Sequence, residues 1–164
     1  MAEKTIALLG QPNSGKSTLF NGLTGSRQHV GNWPGKTVER KDGFFSYNDV
    51  TYKIVDLPGT YSLSANSDEE VVTRNYISSG EANLVCILAD ASQLNRSLFM
   101  LADYAGIHVP VVLLLNMMDI AEGQGKKINV AGLQKSLGIP VVPMVAADKK
   151  QYQPFFNLLE NLEK

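Results

Sequence analysis

Ile6-Ala-Leu-Leu-Gly10-Gln-Pro-Asn-Ser-Gly15-Lys16-Ser17-Thr18-Leu19 is the stretch that decides the fold. A continuous apolar run ends on a glycine, a turn rich in Gly, Asn and Ser follows, and a helical pattern then places Leu19, Phe20 and Leu23 on one face. Gly10-x4-Gly15-Lys16-Ser17, set between strand and helix, has the spelling of a phosphate-binding loop. Its glycines let the backbone curl so that successive N–H groups face one concavity on the positive end of the next helix. Gly10, Gln11, Pro12, Asn13, Ser14, Gly15, Lys16, Ser17 and Thr18 are therefore the candidate phosphate-binding residues. Lys16 would reach the terminal phosphates and the Ser17 hydroxyl would hold Mg²⁺.

Outward from this loop, apolar runs alternate with helix-period stretches. Ile54-Val, Leu84-Val-Cys-Ile-Leu-Ala, Val111-Val-Leu-Leu-Leu and Val141-Val read as further strands, mostly without the polar alternation of a half-exposed sheet. Val38–Tyr47 and Val50–Val55 read as a hairpin about Asn48-Asp49, adding one antiparallel strand. Helical patterns run through Leu94/Leu98/Leu101/Ala105 and Phe155/Leu158/Leu159/Leu162, and Ser67-Asp-Glu-Glu70 is a capping box opening another helix. The expectation is an α/β fold: a six-stranded, mostly parallel sheet with one antiparallel strand, flanked by about five helices. Ligands of such sheets bind beyond the carboxyl ends of the strands.

Composition narrows the class. A chain of 164 residues makes one domain and can bury about 70% of its unfolded surface. Fifteen Lys+Arg against sixteen Asp+Glu leave a formal charge of -1, which speaks against binding nucleic acid through bulk charge. The single cysteine, Cys86, excludes an internal disulfide and reads as a small apolar residue of a buried strand. No apolar run approaches the ~20 residues of a membrane span. His29 and His108 stand apart without ligand partners, and Lys126-Lys127 and Lys149-Lys150 read as solvated pairs.

Three more motifs fall where that sheet would place its ligand. Asp56-Leu-Pro-Gly59 closes one strand: Asp56 can hold a Mg²⁺-bound water and the Gly59 N–H can meet the γ-phosphate. Asn116-Met-Met-Asp119 closes another, and an Asp119 carboxylate accepts the two N–H groups that guanine, unlike adenine, offers on one edge. Thr37 can supply a second hydroxyl to Mg²⁺. Each is ordinary as a turn, a cap or a lone threonine; the order and spacing of the set carry the reading.

With these motifs the chain resembles the guanine-nucleotide-binding domains of the Ras-like superfamily, a P-loop GTPase fold. In finer spelling it is similar to the N-terminal cytosolic G domain of the ferrous iron transport protein B family. Gln11-Pro-Asn-Ser-Gly-Lys-Ser, Val30-Gly-Asn-Trp-Pro-Gly35, Thr37-Val-Glu39, Asp56-Leu-Pro-Gly-Thr-Tyr-Ser-Leu63, Asn116-Met-Met-Asp119 and Gly123-Gln-Gly-Lys-Lys-Ile-Asn-Val130 carry the likeness.

The resemblance implies a slow, Mg²⁺-dependent GTPase coupled to Fe²⁺ uptake. It would work at the cytoplasmic face of the inner or plasma membrane, linked to helical and transmembrane domains absent from these residues. Residues 1–164 would then be the G domain alone, excised or free-standing, with GTP and GDP as ligands. Asn13, Lys16, Thr37 and Gly59 would be its catalytic residues, and Asn116, Met117, Asp119, Val145, Ala146 and Ala147 would surround the guanine. K⁺ would be an activator bound by Asn13 and the switch-loop carbonyls of Gly31 and Trp33. Thr60, followed by Tyr61, stands where generic Ras-like GTPases place a water-orienting Gln, so hydrolysis would rest on electrostatics. Trp33 suits either packing on the domain or an exposed switch tip making a dimer contact. Glu69 and Glu70 suit either helix capping or support of the switches. Lys36 replaces a usual apolar residue. Val145-Ala146-Ala147 lacks the usual Ser, whose lost hydrogen bonds predict a mobile base loop and fast GDP release. A nucleotide sensor with negligible turnover and an RNA-associated GTPase are the alternatives.

Overall fold

The structure, a computed structural model, describes residues 2–10, 15–35, 38–58, 68–93 and 109–162. Seven strands form one sheet: β1 Ala2–Gly10, β2 Gln28–Asn32, β3 Glu39–Tyr47, β4 Val50–Asp56, β5 Leu84–Asp90, β6 Val111–Asn116 and β7 Val141–Pro143. Their order is β2-β3-β4-β1-β5-β6-β7. β1 pairs in parallel with β4 and β5, and β5–β6 and β6–β7 are parallel too. β3 is antiparallel to both β2 and β4, so it is the one strand running against the rest.

The described helices are α1 Lys16–Thr24, α2 Asp68–Ser78, α3 Met118–Gly123, α4 Val130–Leu137 and α5 Gln153–Leu162. The helix expected over Leu94–Ala105 and the capping Ser67 lie outside the described residues. Asp68, Glu69 and Glu70 occupy the first turn of α2, where carboxylates complement the helix dipole. Asn129 caps α4 by accepting from the Gly132 N–H at 3.0 Å.

Alternate residues of the central strands enter opposite cores. Ala7, Leu9, Val55, Val85, Ile87, Leu113 and Leu115 pack on α2, with Leu133 and Leu137 of α4 against them. Ile6, Leu8, Ile54, Cys86, Leu88, Val112 and Leu114 pack on Leu19 and Phe20 of α1 and Phe155 and Leu159 of α5. This double burial is why the strands read as unbroken apolar runs. The expected hairpin is present: Tyr47 pairs with Val50, and Asn48 and Asp49 both have left-handed φ (50° and 66°), as a two-residue hairpin turn requires.

The sheet has seven strands where six were expected. The addition is β2, which takes in Gly31 of the stretch read as a switch loop. Gln28–Asn32 pairs with Gly43–Glu39, with Gly31 opposite Arg40. Nothing local announces this strand, because Gly, Asn and Pro surround it; the long β3 partner makes it.

Candidate functional site

β1, β4 and β6 end on Gly10, Asp56 and Asn116, and their motifs converge at the carboxyl end of the sheet. β1 and β4 stay paired to the end: Leu8 faces Asp56, and the Leu57 N–H donates to the Leu8 carbonyl at 3.0 Å. This register brings the first turn of α1 against Asp56. The Lys16 ammonium lies 3.0 Å from Asp56 Oδ1, the two side chains being 12% and 14% exposed, and it also donates to the Leu57 carbonyl. Burial pushes the Asp56 carboxyl above its ordinary range, with the Lys16 charge opposing that shift. Ser17 and Thr18 are exposed on the same turn.

Gly15 precedes α1 with φ 94°, a conformation that disfavours any Cβ. A Cβ there would also collide with the side-chain amide of Asn116 and lie 3.7 Å from Met117 Cε. The end of the phosphate loop therefore packs directly on the base motif. Asn116 is buried and its Oδ1 accepts from the Ala146 N–H at 2.7 Å, joining the ends of β6 and β7. Met117 takes left-handed φ (62°) to open α3, which leaves Asp119 exposed on the first turn. Val145 is half-buried, Ala146 buried and Ala147 exposed.

Several residues expected at the site, namely Gln11, Pro12, Asn13, Ser14, Thr37 and Gly59, lie outside the described residues, as do Lys36, Thr60 and Tyr61. Gly10, Gly15, Lys16, Ser17, Thr18, Asp56, Asn116, Met117, Asp119, Val145, Ala146 and Ala147 are all at the strand ends, in the loops beyond them or on the first turns of the helices that follow. Gly31 and Trp33 are placed differently from expectation: Gly31 lies within edge strand β2, and the Trp33 N–H donates to the Val38 carbonyl at 2.9 Å.

Trp33 is no exposed tip. It is 8% exposed, edge-on to Tyr76 of α2 at 5.6 Å between ring centroids, with the Arg40 guanidinium 4.5 Å over its ring. Arg40 is itself held by Asp42 at 2.9 and 3.2 Å. Of the two readings of Trp33, packing on the domain is the one observed. A dimer contact through its ring has no exposed aromatic to use.

Three features of the site carried no sequence signal. The Leu57 carbonyl on Lys16 is a backbone group. Lys126, read as solvated, donates its ammonium to the Ser92 carbonyl. Tyr152, just before α5, donates its hydroxyl to the Ala146 carbonyl at 2.6 Å. The base loop read as short of a hydroxyl thus has one, supplied from six residues downstream.

A family model described as ferrous iron transport protein B matches residues 4–159. The Fe(2+) transporter FeoB of Escherichia coli K12 is 50% identical over 150 residues, covering 89% of this chain and 19% of that protein. The Salmonella typhimurium LT2 transporter of the same name gives the same identity and coverage. The chain thus spans about a fifth of the length of the curated relatives it matches.

Among solved structures, the G domain of the T. maritima FeoB iron transporter superposes with a TM-score of 0.91 at 39% identity, covering 99% of both chains. The cytosolic domain of that transporter in a GDP form gives 0.93 at 40% identity, covering 98% of this chain and 63% of the other. Its GMPPNP form gives 0.88 at 41% identity, covering 96% and 61%. With Gly15 packed on Asn116, and with matches of this extent, the chain belongs to the ferrous iron transport protein B family and has the P-loop GTPase fold of that family's G domain.

Proposed function

We propose that this chain binds and hydrolyses GTP as the G domain of a ferrous iron transporter. The observation that carries this reading is the convergence of Lys16, Asp56 and Asn116 at the carboxyl end of the sheet, with Gly15 in contact with Asn116. Matched relatives described as GDP and GMPPNP forms support the nucleotide.

The donor set suits Mg²⁺: a hydroxyl on the first turn of α1 and a carboxylate beside Lys16 are hard oxygen ligands. Ser17 and Thr37 would hold the ion directly and Asp56 through water, and the ion would neutralise charge building on the phosphates. Lys16 has two partners, Asp56 and the Leu57 carbonyl, both at the end of β4. These aim its ammonium at the strand ends, where the phosphates would lie. Asn116 ties the base loop to β6, and Asp119 accepts the guanine N–H pair. The Ala146 N–H, the amide expected to contact the guanine oxygen, is donated to Asn116 Oδ1 at 2.7 Å.

K⁺ stimulation through Asn13, Gly31 and Trp33 rests on the family resemblance, since Gly31 is paired in β2. The slow rate, the catalytic parts of Asn13, Thr37 and Gly59, and attachment to helical and transmembrane domains at the cytoplasmic membrane face rest on the same ground. Residues 1–164 are the G domain of that larger assembly. No described helix is long and apolar enough to cross a membrane.

The test is steady-state GTP hydrolysis with Mg²⁺, in KCl and NaCl at equal ionic strength, with Asn13→Ala as control. Turnover is expected in both salts, faster in K⁺, with that excess lost in the mutant. Tight GTP binding with no turnover in either salt would leave a nucleotide sensor instead.

A further inference from the structure

The guanine-side loop is gripped on both sides of one residue. Ala146 gives its N–H to Asn116 at 2.7 Å and its carbonyl accepts from the Tyr152 hydroxyl at 2.6 Å. Asn116, Ala146 and Tyr152 are 3%, 3% and 2% exposed, so both bonds lie where water cannot replace a missing partner. Burial, with Asp148 nearby, also pushes the Tyr152 phenol upward, which keeps it a donor.

The Tyr152 ring is confined in turn. A Cβ at Gly22, in the last turn of α1, would collide with its hydroxyl, and Phe156 packs edge-on at 6.3 Å. On the other side, the Asn116 amide fills the space beside Gly15. The contacts therefore close a ring: Gly15 at the start of α1, Asn116, Ala146, Tyr152, and back to α1 at Gly22. Phosphate loop and base loop are tied to one helix.

We propose that Tyr152 is a positioning residue for guanine binding: its hydroxyl holds the Ala146 carbonyl so that the base loop keeps its conformation, and the rate of GDP release depends on that bond. The proposal rests on the GTP reading above. The hydroxyl missing at Val145 is supplied by Tyr152.

Tyr152→Phe keeps the ring and removes the one donor, leaving a buried carbonyl unpartnered. Stopped-flow release of a fluorescent GDP is expected to be about tenfold faster than from the wild-type chain. Gly22→Ala, which keeps the hydroxyl but displaces it, is expected to shift release in the same direction. Inorganic tripolyphosphate, which has phosphates and no base, should bind both variants as it binds the wild type in calorimetry. Hydrogen exchange at the Ala146 amide should be slow in the wild type and faster in Tyr152→Phe.

Release from Tyr152→Phe within twofold of wild type overturns the proposal. So does a parallel loss of tripolyphosphate affinity, which would mark a general loosening of the domain. A wild-type chain that binds neither GTP nor GDP in calorimetry overturns the GTP reading itself, and this one with it.

Discussion

Asp56 closes β4 and Asp119 lies on the first turn of α3, just beyond β6, and the two carboxylates differ in burial. Asp119 is exposed on the first turn of α3, where it can meet a base edge arriving from solvent. Exchanging its carboxylate for an amide turns one acceptor into a donor, so Asp119→Asn should shift preference from guanine toward xanthine nucleotides in competition binding. Unchanged guanine selectivity would remove Asp119 from the base site. Asp56 is largely buried, and its carboxyl is raised although Lys16 opposes the shift. A raised carboxyl binds its proton more tightly in the folded chain, so its ionisation costs stability as pH rises above the ordinary carboxylate range. Asp56→Asn should therefore raise the melting temperature at neutral pH, with the gain fading as the pH falls toward that range. Lys16 keeps the Leu57 carbonyl in the variant. Mg²⁺-dependent nucleotide affinity should fall in the same protein, and calorimetry with and without Mg²⁺ checks it.

At the scale of elements, the β3–β4 hairpin and β2 differ in how they are specified. Asn48-Asp49 accepts left-handed φ at both positions, so the hairpin is written locally. β2 is written elsewhere: its partner β3 supplies the ladder, while Trp33, Arg40 and Tyr76 hold its end against α2. Trp33 is the one tryptophan of the chain, so it reports on its own environment. Trp33→Ala should cost about 3 kcal/mol in urea unfolding, because it empties a buried aromatic site. Arg40→Ala should cost less, about 1 kcal/mol, as the cation–π contact is lost, and should red-shift the Trp33 emission. An unchanged urea midpoint in Trp33→Ala would mean that this stack does not anchor β2. Glu69 and Glu70 sit on the first turn of α2, in keeping with their reading as helix-dipole partners.

For the molecule as a whole, the ligand site is assembled from segments that are stable only together. Gly10, Lys16, Asp56, Asn116 and Ala146 belong to separate elements, so a nucleotide that bridges them binds the folded chain alone. GDP with Mg²⁺ at a hundred times its dissociation constant should add about 2.7 kcal/mol of stability. Thermal melts with and without nucleotide measure this, and an unmoved midpoint would contradict the nucleotide reading. The α/β class and the hairpin were legible in the sequence because each has a local cause, and so was the spacing of the Gly10–Ser17 and Asn116–Asp119 motifs. A glycine spacing, a hydrophobic period and a turn pair are properties of neighbours along the chain. The seventh strand, the burial of Trp33 and the Tyr152 grip on Ala146 were not legible, because their causes are partners distant in sequence or backbone groups common to every residue. Val145-Ala146-Ala147 shows the limit most directly. From the sequence it lacked a stabilising hydroxyl; the tertiary structure supplies one from Tyr152, and packing alone decided which side chain reaches that carbonyl.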